Sequence, residues 1–112
     1  MDYIEKCISA CYACAAACEK CATLCLAEDD VKKMTTCILL DRECAVICLA
    51  TAKILSIGAD NFQMLCKACE DMCLTCAKEC GRHADMYHCK QCAEACRHCA
   101  DMCRKLIVED VV

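Results

Sequence analysis

The sequence has no proline and no tryptophan, only two glycines, and a single phenylalanine among 112 residues. Turns depend on Gly and Pro, so their scarcity excludes the loop-rich, disulfide-stapled scaffolds of small secreted proteins. One Phe and three Tyr provide no aromatic platform for stacking nucleic-acid bases. Basic excess is also lacking. Thirteen Lys and Arg against 17 Asp and Glu leave a net charge of −4, which argues against a nucleic-acid partner. No long apolar run is uninterrupted: the most apolar stretch, residues 37–57, contains Asp41, Arg42, Glu43 and Lys53, so no membrane span is expected. The opening Met-Asp-Tyr-Ile-Glu-Lys-Cys has neither the basic start nor the apolar region of a secretory signal. The expected location is therefore the cytosol, where thiols are kept reduced.

What the chain has instead is cysteine. There are 19, about 17% of the residues, well above the roughly 8–10% that marks a special scaffold in a short chain. An odd number cannot all pair within one chain, and abundant reduced thiols imply metal before disulfide. Their spacing is regular. Cys7, Cys11, Cys14, Cys18, Cys21 and Cys25 are separated by steps of 4, 3, 4, 3 and 4. Cys66, Cys69, Cys73, Cys76 and Cys80 alternate 3 and 4, as do Cys89, Cys92, Cys96, Cys99 and Cys103. Cys37, Cys44 and Cys48 form a sparser set in which Asp41 fills the missing step. A mean step near 3.5 keeps every member on one narrow stripe of a helix, whereas a strand needs a period of 2.

The breaks between these blocks carry helix-end signals. An Asp within residues 28–30 is suited to cap a following helix, as is Asp60 or Asn61 after Gly58, a residue suited to the left-handed position past a helix end. Gly81 is expected to end the third helix and Asp85 to start the fourth. The sequence thus predicts helices over approximately 3–26, 31–57, 61–81 and 86–107. Short connections make them an all-α, antiparallel up-down-up-down four-helix bundle with a cysteine-lined core, one domain spanning 1–112. Small residues such as Ala10, Ala13, Ala15, Ala17, Ala22, Ala68, Ala77, Ala93, Ala95 and Ala100 allow close approach, and Lys67/Glu70/Asp71, Lys90/Glu94 and Arg97/Asp101 read as a solvated face. The second helix carries Ile38, Leu39, Leu40, Val46, Ile47, Leu49 and Ile54 off the stripe, a width that suits either a subunit interface or packing within the monomer.

Cysteine as a mere small core hydrophobe does not account for the stripe, because a seam of 19 cysteines buries much less apolar area than Leu or Ile would. Metal chemistry does. Sulfurs from residues four apart can sit roughly 4.5 Å apart and bracket one ion at about 2.3 Å from each. Such two-coordinate binding suits Cu(I), which soft thiolates select, whereas Zn(II) takes four ligands. One Cu(I) per thiolate leaves the core neutral, so the full load should be on the order of one ion per cysteine. Zinc at four sulfurs per ion would fill only about four or five sites and leave negative charge inside. An iron–sulfur run ending in Cys-Pro is absent.

Beyond the cysteines the register reaches Ile4, Leu55, Phe62 and Leu106 at one end, an expected apolar plug. At the other it reaches Glu28, Met34, His83 and, more loosely, Asp85, with Asp41 one layer inside and His88 beside Cys89. Of these, His83 and Met34 continue the stripe and are favoured over His88 and Asp41 as ligands. Asp41 has an alternative role as a hydrogen-bond acceptor or the partner of a cation. His98 is off register and expected exposed; Met64, Met72 and Met102 are expected to fill gaps. The metal-ligating candidates are thus the 19 cysteines with His83, His88, Met34 and Asp41.

Together, the six-cysteine first block, Leu-Asp-Arg-Glu-Cys-Ala-x-x-Cys at Leu40–Cys48, the Cys66–Cys80 run, Gly81-Arg82-His83 and His88-Cys89-Lys90-Gln91-Cys92 resemble the bacterial copper storage proteins, in particular their cytosolic branch. The resemblance spans essentially the whole chain. It implies a four-helix bundle assembled as a homotetramer, with many Cu(I) ions along each bundle axis. It implies that Cys7/Cys11, Cys14/Cys18, Cys44/Cys48 and Cys76/Cys80 bind copper, and that ions enter at the histidine-bearing mouth. The expected function is cytosolic storage or buffering of Cu(I), without nucleic-acid or membrane partners. No nucleophile–base pair, phosphate loop or open catalytic metal site can be picked out, so no enzyme is expected. The alternatives are a thiol redox protein, disfavoured because redox pairs need an exposed low-pKa thiol, and a zinc- or cadmium-sequestering protein of the metallothionein kind.

Overall fold

The computed structural model describes residues 2–111, with side chains as far as Val108, so Met1 and Val112 of the expected span lie outside the described residues. Four helices follow one another: α1 (Tyr3–Cys25), α2 (Thr35–Ile57), α3 (Gln63–Gly81) and α4 (Tyr87–Val111), with a 3-10 turn at Val31–Met34 before α2. Each packs on two neighbours in the ring α1–α2–α3–α4, giving an all-α four-helix bundle of 48 × 22 × 20 Å. The α1–α2 and α3–α4 connections share one end. The α2–α3 connection, the start of α1 and the end of α4 share the other.

The helix ends combine anticipated and unanticipated devices. Asp2 caps α1 by accepting a hydrogen bond from the Glu5 amide at 2.9 Å, which satisfies one of the free donors of the first turn. Gly58 terminates α2 at φ 82°, in the left-handed region, with its N–H on the Leu55 carbonyl and that of Ala59 on Ile54. The caps anticipated before α2 and α3 are not used. Asp30 precedes the 3-10 turn without a side-chain cap, and α2 starts after Met34. Neither Asp60 nor Asn61 caps α3; Phe62 occupies that position without a side-chain hydrogen bond, because its ring is drawn into the core instead. Gly81 ends α3 with ordinary backbone angles, and its missing side chain leaves room for the Arg97 guanidinium, which a Cβ would meet at 3.4 Å. Helix α4 begins at Tyr87 and runs past the expected limit at residue 107 to Val111.

All 19 cysteines have 0% exposure. They form the axis of the bundle, and Ala10, Ala15, Ala22, Ala45, Ala52, Ala77, Ala93 and Ala100 are the small residues buried beside them. A seam so thin is possible only because alanine lets the helices close around it.

Candidate metal centre

The alternating steps that put cysteine on one face of each helix also set which sulfurs meet across the bundle. Between α1 and α4, Cys7 faces Cys103 at 3.7 Å, Cys11 faces Cys99 at 3.6 Å, Cys14 faces Cys96 at 3.6 Å and Cys18 faces Cys92 at 3.7 Å. The numbers fall on one helix as they rise on the other, the mark of an antiparallel pair. Between α2 and α3 the ladder is Cys48 to Cys69 at 3.9 Å, Cys44 to Cys73 at 3.7 Å and Cys37 to Cys80 at 3.5 Å. Diagonal approaches of 4.0 Å from Cys14 to Cys73 and from Cys48 to Cys99 join the two halves.

Within helices, Cys14/Cys18, Cys21/Cys25, Cys44/Cys48 and Cys76/Cys80 lie 4.0, 3.8, 3.9 and 3.9 Å apart. These are shorter than the roughly 4.5 Å of a linear two-coordinate site. The physical reason is the third and fourth sulfurs contributed by neighbouring helices: thiols packed on all sides close to contact distance. Separations near 4 Å fit the edge of a three-coordinate site, about 4.0 Å for bonds of about 2.3 Å. Four-sulfur groups recur along the axis, among them Cys11/Cys69/Cys99/Cys103, Cys14/Cys44/Cys48/Cys73 and Cys18/Cys76/Cys92/Cys96. All these distances far exceed the roughly 2.05 Å of a disulfide, and full burial leaves no exposed thiol to attack one, which counts against redox cycling.

Asp41 is fully buried in this sulfur column. Its Oδ1 accepts from the thiols of Cys76 at 3.2 Å, Cys80 at 3.3 Å and Cys92 at 3.2 Å. Burial, reinforced by the neighbouring Cys92 and Cys76, pushes its carboxyl up to about 10, so the group is neutral near pH 7. It thus belongs to the thiol network, and among the described residues no ion pair involves it. Burial likewise pushes Cys89 up to about 11 and raises Cys25. Loading a metal must displace these protons.

At the open end Met34 is buried, with 1% exposure. It lines a cavity of about 390 Å³ together with Glu28, Lys33, Arg82, His83, Asp85 and Met86. The two mouth histidines differ. His83 Nε2 lies 3.0 Å from Glu79 Oε2, one helical turn back. His88 turns Nδ1 towards sulfur, 3.5 Å from Cys89, 3.7 Å from Cys21 and 3.9 Å from Cys25. The histidine favoured by register is therefore tied to a carboxylate. The one placed lower sits among the thiols, because its position beside Cys89 puts it over the α1–α4 seam. Glu79 was the partner missed; its spacing of four from His83 was the available signal.

At the closed end Leu55, Phe62 and Leu106 are buried, at 4, 7 and 4% exposure, but Ile4 is 38% exposed and only edges the plug. Being one residue inside the start of α1, it has no preceding helical turn beside it. Thr51, also missed, continues the α2 stripe where a cysteine would stand, and its hydroxyl donates to the Ile47 carbonyl at 2.7 Å. Of the methionines expected to fill gaps, Met102 is buried and Met72 half-buried, but Met64 is 82% exposed, on the first turn of α3 outside the bundle. His98 is exposed.

Comparison with known proteins decides the family. The sequence profile of the copper storage proteins matches residues 1–108. The chain belongs to the copper storage protein family. A cytosolic copper storage protein from Streptomyces lividans, with five coppers loaded, shares 43% identity over 95% of this chain and 92% of its own, with a TM-score of 0.91. Cu(I)-bound copper storage protein BsCsp3 shares 42% identity over 95% of this chain and 99% of its own, at a TM-score of 0.89. An uncharacterized cysteine-rich protein of Bacillus subtilis, YhjQ, is 43% identical over 93% of this chain and 95% of its own length. Copper storage by core thiols is the function that family and fold share.

Proposed function

We propose that the chain holds many Cu(I) ions along its axis in the cytosol, with the 19 cysteines as ligands and Met34, His83, His88 and Asp41 as the non-thiol groups at and inside the mouth. The observation that carries this reading is the complete burial of all 19 thiols along the bundle axis, with neighbouring sulfurs as close as 3.5–4.0 Å. Stability alone would fill that space with Leu or Ile, and soft, closely set thiolates are what Cu(I) selects. The solved copper-loaded relatives support the cargo, and the cytosolic Streptomyces protein supports the compartment. The chain acts as a store, with no enzymatic step. We assign a homo-oligomer, a tetramer by family resemblance, on the support of Leu39, Val46 and Leu49, which remain 54, 69 and 40% exposed on α2.

An anaerobic Cu(I) titration of the reduced protein tests the capacity. Neutrality of the core predicts saturation above about ten equivalents per chain, approaching one per cysteine. Saturation at about four or five, matching a parallel zinc titration, would instead identify a sequestering protein built on four-sulfur sites.

A further inference from the structure

The thiol column does not end in thiols. Cys21, Cys25 and Cys89 form an equilateral triangle, with sulfur separations of 3.8, 3.8 and 3.8 Å. His88 Nδ1 stands over it at 3.5, 3.7 and 3.9 Å from the three sulfurs. The four atoms mark the corners of a nearly regular tetrahedron. A tetrahedral Zn(II) with sulfurs at about 2.3 Å and nitrogen at about 2.05 Å requires edges of about 3.8 Å between sulfurs and about 3.6 Å from sulfur to nitrogen. We infer that Cys21, Cys25, Cys89 and His88 form a four-coordinate Zn(II) site at the mouth, a place for a divalent ion in a column otherwise suited to Cu(I).

The other ring nitrogen supports this assignment. His88 Nε2 is buried and makes no hydrogen bond; the carboxylate oxygen Oε2 of Glu28 is 3.5 Å away, at ion-pair but not hydrogen-bond range. Binding metal through Nδ1 puts the ring proton on Nε2, where it faces Glu28. A carboxylate behind a ligating imidazole is the usual outer shell of a zinc site and orients the ring.

Charge separates this site from the all-cysteine groups deeper in the column. Three thiolates, a neutral imidazole and Zn(II) leave one net negative charge; four thiolates and Zn(II) leave two. Born cost grows with the square of charge, so the inner sites are about four times as expensive to fill with zinc. The mouth cavity that Glu28 lines carries Asp29, Asp30 and Asp85 against Lys33 and Arg82, an acidic balance that draws a divalent cation to this end. A second cleft of about 330 Å³, lined by Ala16, Ala17, Lys20, Gln91 and Ala95, reaches His88 from the side.

Titration of the reduced full-length protein with Zn(II), against a chromophoric chelator and without copper, reads the site directly. The expected result is one equivalent held more tightly than all later ones, with Co(II) in its place giving the intense d–d and thiolate charge-transfer absorption of a tetrahedral site. His88→Gln should weaken that first equivalent by more than about tenfold and Glu28→Gln by about tenfold, with circular dichroism unchanged, while His98→Gln leaves it intact. Four or five equivalents of equal affinity, a weak octahedral Co(II) spectrum, or unchanged zinc affinity in His88→Gln would overturn the assignment. Copper capacity is a separate reading: a chain that fills with Cu(I) yet lacks the tight first zinc refutes this site and leaves storage standing.

Discussion

The two ends of the bundle are cut from the same four helices and behave as different materials. At the closed end Leu55, Phe62 and Leu106 bury their side chains against one another. Below them the last polar group on the α2 stripe, Thr51, returns its hydroxyl to its own helix. Among the described residues, these three plug side chains offer a cation no ligand. At the open end Met34, His83, His88, Glu28 and Asp85 replace the hydrocarbon, and two clefts admit solvent. The contrast separates packing from binding: hydrocarbon closes one end of a weakly hydrophobic sulfur core, and polar groups line the other. One end supplies the packing that the stripe lacks, and the other supplies graded groups, from carboxylate and imidazole to thiol, along which, on the proposed reading, a soft ion would move inward.

Shrinking the plug is the most disruptive way to test that division. Leu106→Ala should cost the apo protein about 2–5 kcal/mol, measured by denaturant unfolding, while Cu(I) capacity is unchanged. Copper uptake that changes in this variant while the mouth variants load at the wild-type rate would break the comparison. Asp41→Asn probes the junction between the two regimes. The carboxyl rises from 3.8 to about 10 on folding, so the folded state keeps a proton that the unfolded chain releases. Its stabilising effect is complete below the unfolded value and is lost as pH rises through the folded one. Between about pH 5 and pH 8 the apo protein should therefore lose stability through Asp41 at up to about 1.4 kcal/mol per pH unit, and the Asn variant should lose that component.

The mouth gives a kinetic effect. Replacing Met34 by Leu and His88 by Ala together should slow Cu(I) loading on the order of tenfold, about 1.4 kcal/mol in the barrier, with final capacity within about one or two ions. His83→Ala should slow it less, because Glu79 already holds that ring; stopped-flow loading with wild-type rates in the double variant would move the point of access elsewhere. The smallest effect belongs to the turn beneath the plug. Gly58→Ala places a Cβ in open space but at φ 82°, so only backbone strain of about 1 kcal/mol is expected, visible as a lowered apo melting temperature with unchanged loading.

Much of this architecture was written in the chain itself. Steps of 3 and 4 place a residue on one helical face whatever surrounds it, so the burial of all 19 cysteines and the four-helix bundle followed from spacing alone. Gly58 was equally legible, since a left-handed helix end is a local requirement. The tertiary structure decided what depends on neighbours. Phe62 takes the start of α3 from Asp60 and Asn61 because burying its ring in the plug outweighs one side-chain cap. Ile4, on register but at the chain's edge, finds nothing to cover it. His83 and His88 look alike in sequence, but Glu79 stands one turn from the first, and the α1 sulfurs of Cys21 and Cys25 lie across the seam from the second. Periodicity specifies which way a side chain faces; only the packing of one helix against another specifies what it meets there.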